Sequence, residues 1–91
     1  MTHESTRNKH DTLCNIVAAT ARALGHRVDL HQEYRKGELD VLIDNYWYLE
    51  CKCHLTPKGI IKGTNQIYRA RSYGLIQKGS IIAYDGSKEI I

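Results

Sequence analysis

The segment from Glu38 to Lys52 constrains the fold more than any other. Leu39, Val41 and Ile43 alternate with Glu38, Asp40 and Asp44, the period of a half-buried strand. After an Asp44-Asn45 turn signal, Tyr46 to Cys53 is rich in aromatic strand formers. In an antiparallel pair, opposing residues share a face, so the connection decides which side chains meet. A three-residue loop of Asp44-Asn45-Tyr46 sets Ile43 against Trp47, Val41 against Leu49 and Leu39 against Cys51, one continuous apolar face. Asp40 then meets Glu50, and Glu38 meets Lys52. A two-residue loop would put Asp40 against Leu49 and mix the faces, so hydrophobic matching selects the longer loop.

That register sets one carboxylate against another, a repulsion that ordinary sheets avoid. A divalent cation turns it to use, since hard oxygen donors suit Mg²⁺ or Mn²⁺. Lys52 lies two residues beyond Glu50 and so on the same face, where an ammonium can orient a water and stabilise charge developing on a phosphate. Two carboxylates, a lysine and a basic flank are the parts of a phosphodiester-cleaving site. The flank is present: Lys52, Lys58, Lys62, Arg69, Arg71 and Lys78 occur between Cys51 and Tyr84 without one Asp or Glu, whereas residues 1–50 hold six basic and eight acidic side chains. This asymmetry suits a polyanion binder with its own metal-binding carboxylates. Glu50 and Lys52 solvated on a half-exposed strand are the plainer alternative.

The rest of the chain frames this hairpin. Leu13, Ile16, Val17, Thr20 and Leu24 form one helical stripe ended by Gly25, with Ser5, Thr6 or Asn8 as caps. Val28, Leu30 and Tyr34 mark a first strand ended by Lys36-Gly37. Thr56-Pro57-Lys58-Gly59 and Lys62-Gly63 read as a loop, after which Thr64 or Asn65 caps a second helix containing Ile67, Ala70 and Arg71 and ending at Gly74 or Lys78. Ser80 to Tyr84 reads as a last strand before an Asp85-Gly86 turn. The order α-β-β-β-α-β predicts an α/β domain, a mixed sheet flanked by helices, over residues 1–91. No stretch is apolar enough for a membrane helix, and three cysteines without a CxxC pair point to a reduced, intracellular (cytoplasmic) protein.

At Gly37-Glu38-Leu39-Asp40-Val41-Leu42-Ile43 and Tyr48-Leu49-Glu50-Cys51-Lys52 the chain resembles the PD-(D/E)XK nuclease superfamily, whose core has this same element order. It is most similar to small archaeal-type Holliday junction resolvases and stand-alone phage nucleases. The resemblance runs from Thr12 to Tyr84, but its specific motif is only Asp40, Glu50 and Lys52. It implies a restriction-endonuclease-like core in which Asp40, Glu50 and the backbone carbonyl of Cys51 hold Mg²⁺ or Mn²⁺ and Lys52 serves the attacking water. Gln66 matches a glutamine that many members carry in the helix after the motif. With Arg69 and Tyr73 it forms a polar stripe at i, i+3 and i+7 that faces the site, the alternative being an exposed helix residue.

Many members carry a glutamate in the first helix, a place held here by Lys9 or His10. Asp11 falls nearly opposite the Leu13–Leu24 stripe, so the third acid is absent, replaced by Glu38, or supplied by Glu4. An inward His10 is the mark of a packing histidine more often than of a ligand. Cys51, Cys53 and His54 lack the spacing and shared direction of a zinc site, and Cys14 and Cys51 read as small apolar core residues. The expected function is metal-dependent cleavage of DNA, branched or four-way, by a homodimer in which Ile60, Ile61, Ile90 and Ile91 either form the contact or close the core. The alternative is a non-catalytic nucleic-acid-binding module that holds phosphates through Arg35, Lys36, Lys58, Lys62, Arg69 and Arg71.

Overall fold

A computed structural model describes residues 6–83, and for residues 6 and 7 the backbone alone. The order is α1 (Thr6–Ala23), β1 (Val28–Tyr34), β2 (Gly37–Ile43), β3 (Trp47–Lys52), α2 (Pro57–Ser72) and β4 (Lys78–Ala83). The four strands form one mixed sheet in the order β1-β2-β3-β4, antiparallel except for the parallel β3–β4 pair that α2 connects. Ser5, Glu4, Tyr84, the Asp85-Gly86 turn, Ile90 and Ile91 lie outside the described residues. No helix among the described residues is long and apolar enough to cross a membrane.

The central hairpin has the register that hydrophobic matching selects: Val41 opposite Leu49, Leu42 opposite Tyr48 and Ile43 opposite Trp47. Asp44 and Asn45 take left-handed φ of 55° and 54°, and Tyr46 N–H returns to Ile43 C=O at 3.0 Å. Left-handed backbone at two successive turn positions is tolerated best by Asp, Asn and Gly, so the turn chemistry fixes the register. The β2–β3 ladder ends at Val41–Leu49. Leu39 therefore does not meet Cys51, nor Glu38 Lys52: Glu38 lies opposite Glu33 in β1, and Lys52 pairs with Glu50.

One helix covers each face. α1 packs Leu13, Cys14, Ala18 and Ala21 against Val28, Val41, Ile43, Leu49 and Cys51; on the other side Ala70 of α2 meets Leu39, Leu42, Tyr48 and Ile76. Leu39 and Val41 thus lie in different cores although both are odd-numbered in one strand. The alternation is reset opposite His31, whose φ is 52° and which, with Asp40, is missing from an otherwise regular β1–β2 ladder.

Both helices depart from the sequence pattern. Thr20 and Leu24 are exposed, and the buried face of α1 runs instead through Leu13, Cys14, Val17, Ala18 and Ala21. Cysteine and alanine carry little apolar surface and so weigh little in a hydrophobic stripe, yet their size lets the helix lie close on the sheet. α2 begins not at Thr64 but at Pro57, with Thr56 as N-cap: its hydroxyl accepts from Gly59 N–H at 3.0 Å. Proline suits the first helical position, where its missing N–H leaves nothing unpaired. Gly63 is helical because a Cβ there would lie 3.2–3.4 Å from Ile81, Lys52 and Glu50, and a Cβ on Gly79 would collide with Ile67. Glycine at both places brings α2 close over β3 and β4. The helix ends before Gly74, at φ 74°.

Candidate functional site

Asp40 and Glu50 are 7% and 4% exposed, a depth at which carboxylates are rare unless paired. They sit where β2 and β3 part, beyond the last ladder pair. Asp40 Oδ2 accepts from the Cys51 backbone N–H at 3.0 Å and faces His10 Nε2 of α1 at 3.1 Å. Glu50 belongs to the side covered by α2: the Tyr48 hydroxyl donates to its Oε1, and Lys52 Nζ lies 3.1 Å from Oε2. Asp40 faces the α1 side of the sheet and Glu50 the α2 side, rather than one shared face, and they are near enough for the charge of Asp40 to act on Glu50.

Burial pushes the Glu50 carboxyl up to about 7, and the neighbouring charge of Asp40 adds to the rise against the opposing effect of Lys52. At neutral pH Glu50 is therefore protonated for part of the time. Burial alone would lower the His10 pKa, but the charge of Asp40 and its hydrogen bond, helped by Cys14 and Asp11, leave it above its usual value. Cys14 and Cys51 hydrogen-bond each other in the core, and that bond with burial drives the Cys51 thiol well up, which keeps it inert.

The rotation of α1 turns His10 and Asp11 inward. His10 stands in the first-helix place, on Asp40; Asp11, far from lying opposite the buried face, is half-buried with Oδ1 3.7 Å from His10 Nδ1 and 3.8 Å from His31 Nε2. His31 Nδ1 in turn lies 3.3 Å from Glu38 Oε1. Two sets of possible metal ligands share Asp40: His10, Cys14 and Asp40, and His31, Glu38 and Asp40, each with its donor atoms within 4.8 Å of one another. Sequence reasoning passed over Tyr48, His31 and Asp11. For His10 and Asp11 a signal existed: His10 lies four residues before Cys14 and eleven before Ala21, on the buried face once small residues are counted.

The remaining residues singled out by sequence divide by exposure. Gln66 is half-buried one turn beyond Gly63, and its buried Oε1 has no hydrogen-bond partner among the described residues. Arg69 and Tyr73, on the same stripe, are exposed, and the Tyr73 ring packs edge-on against Tyr34 with centroids 5.8 Å apart. Lys58 and Lys62 are exposed on the first half of α2, Arg71 on its last turn, and Arg35 and Lys36 in the β1–β2 turn. Ile60 and Ile61 are exposed as well. A scan against protein-family models and searches of curated proteins and of solved structures find nothing that matches the chain.

Proposed function

We propose that the protein is a Mg²⁺- or Mn²⁺-dependent DNA endonuclease on a restriction-endonuclease-like core. The observation that supports this best is the buried Asp40–Glu50 pair with the Lys52 ammonium on Glu50. The repulsion of two acids at this depth is relieved by a proton on Glu50 or by a cation in the gap, and their donors are the hard oxygens that Mg²⁺ and Mn²⁺ prefer. Asp40, Glu50 and the backbone carbonyl of Cys51 hold the ion, which when bound supplies Lewis-acid polarisation of a phosphate oxygen.

The chain's own residues do the rest. Glu50, partly protonated without the ion, would release that proton to solvent on holding it. Lys52, held in place by Glu50, sets its ammonium toward the scissile phosphate and stabilises the negative charge that grows there. Gln66, whose amide oxygen is buried without a partner, orients the attacking water. Lys58, Lys62, Arg69 and Arg71, with Arg35 and Lys36 from the β1–β2 turn, hold backbone phosphates, and Tyr73 adds a stacking surface. Ile60 and Ile61 contribute to a homodimer whose two sites match the twofold symmetry of a four-way junction.

A second reading, a nucleic-acid-binding module without catalysis, rests on His10, an imidazole on Asp40 at the place where many members of the superfamily it resembles carry a glutamate. Linear, flapped and four-way DNA incubated with Mg²⁺, Mn²⁺ or EDTA separate the two. The nuclease reading predicts metal-dependent cleavage, fastest on the four-way substrate; binding of all three without cleavage in either metal supports the module.

A further inference from the structure

We propose that His31, Glu38 and Asp40 form a second metal site, one that selects a transition-metal dication such as Mn²⁺, Co²⁺ or Zn²⁺ over Mg²⁺. It shares Asp40 with the pair discussed above but depends neither on Glu50 and Lys52 nor on nuclease activity.

The first argument is spacing. Two donors each about 2.1 Å from one ion, at tetrahedral or octahedral angles, stand about 3.0–3.4 Å apart. His31 Nδ1 and Glu38 Oε1 are 3.3 Å apart, and their grouping with Asp40 keeps all three donors within 4.8 Å. The His31 Nδ1 atom is shielded from solvent and makes no hydrogen bond, despite its closeness to Glu38. A carboxylate at that distance is met either by a proton on Nδ1 or by a cation held between the two, and the absence of a formed hydrogen bond favours the second.

The second argument is backbone strain. Among the described residues three non-glycines have positive φ, and two of them belong to the Asp44-Asn45 turn. His31 is the third, in mid-strand, where no turn requires it. Such a conformation costs of order 1–3 kcal/mol and persists only where its surroundings impose it. Here it takes His31 and Asp40 out of the ladder and turns both toward Glu38.

The third is the outer partner. The far nitrogen of His31, Nε2, lies 3.8 Å from Asp11 Oδ1. Ligating histidines commonly direct their second N–H to a carboxylate, which fixes the ring and raises its basicity. At 3.8 Å Asp11 is not hydrogen-bonded to the ring, but among the described residues it is the carboxylate nearest that nitrogen and the one placed to take this role. An imidazole nitrogen among the donors favours Mn²⁺, Co²⁺ or Zn²⁺ over Mg²⁺, which prefers oxygen and sheds water reluctantly.

The test is calorimetric titration of the untagged, metal-stripped protein with Co²⁺ in a large excess of Mg²⁺, together with the visible absorption of bound Co²⁺. Wild type should bind Co²⁺ despite the Mg²⁺. His31→Asn keeps a residue that tolerates left-handed backbone and should weaken binding more than tenfold, as should Glu38→Gln at an exposed position. Asp11→Asn should weaken binding, and Gln77→Ala, exposed just before β4 and away from the cluster, should leave Co²⁺ affinity within about threefold. Circular dichroism confirms the fold of each variant; if His31→Asn does not fold, Glu38→Gln decides. No uptake by wild type, displacement of Co²⁺ by Mg²⁺, or unchanged affinity in Glu38→Gln overturns the proposal. Failure of the nuclease reading would show instead as uncut DNA, with these titrations unaffected.

Discussion

Glu50 is the residue on which most of the site's physics converges. Its carboxyl is raised to about 7 by burial and by Asp40, against about 4.5 in an unfolded chain. Between those values the native state binds the extra proton, so stability falls as pH rises from about 4.5 to about 7. His10, also raised, acts in the same direction near neutrality. In EDTA the melting temperature should therefore be higher at pH 5.5 than at pH 7.5, with Glu50 contributing roughly 2–3 kcal/mol at most. Glu50→Gln should remove most of that dependence and raise stability at pH 7.5; a variant with the wild-type pH profile would show that Glu50 is not the strained acid. Metal binding must expel the same proton, so Mn²⁺ should restore the stability lost at pH 7.5 and bind more weakly as the solution is acidified below pH 7.

Among the elements, α2 determines how tightly the site is closed, and two glycines set its distance from the sheet. At Gly63→Ala the gain in helix propensity, about 1 kcal/mol, opposes the close approach, 3.2–3.4 Å, to the ends of Ile81 and Lys52 and to Glu50 Cγ. Thermal stability should change by less than about 1 kcal/mol while cleavage drops, since Lys52 and Glu50 are what must move. At Gly79→Ala the obstacle is the branched Ile67 beneath the strand, and overpacking of this kind typically costs about 1–3 kcal/mol. Equal stability losses in both variants would contradict this account. These glycines also mark where the sequence was hard to read. Gly59 and Gly63 are breakers in a local reading; the Thr56 cap brings Gly59 into the first turn of α2, and Gly63 lies where the helix passes close over β3 and β4. The β2–β3 register from Val41–Leu49 to Ile43–Trp47 was legible because alternation and an Asp-Asn turn agree locally, but the shared face expected for Asp40 and Glu50 was not, because the ladder stops before them. His10 and Asp11 were legible only if Cys14, Ala18 and Ala21 are counted as the buried face of α1, and His31 was not, because its placement depends on one left-handed residue set by tertiary packing.

For the whole molecule, the charge pattern noted in the sequence becomes a spatial one. Lys58, Lys62, Arg69 and Arg71 are all exposed along α2, which also closes over Glu50 and Lys52. Lys58→Ala with Lys62→Ala should weaken DNA binding regardless of sequence and reduce the salt slope by about one unit for each phosphate no longer neutralised; an unchanged slope would place the DNA elsewhere. Because so many cations share the phosphates, no single one should decide affinity, and that separates binding from chemistry at Lys52. On the nuclease reading proposed above, its ammonium acts on charge that develops in the transition state, and removing one such group typically costs about 10²–10³ in rate. The most direct measurement compares wild type and Lys52→Ala for cleavage of four-way DNA in Mg²⁺ or Mn²⁺ and, in Ca²⁺, for affinity to the same DNA. The account predicts a rate lower by that factor with affinity unchanged within a few fold. Cleavage by Lys52→Ala at the wild-type rate would contradict it.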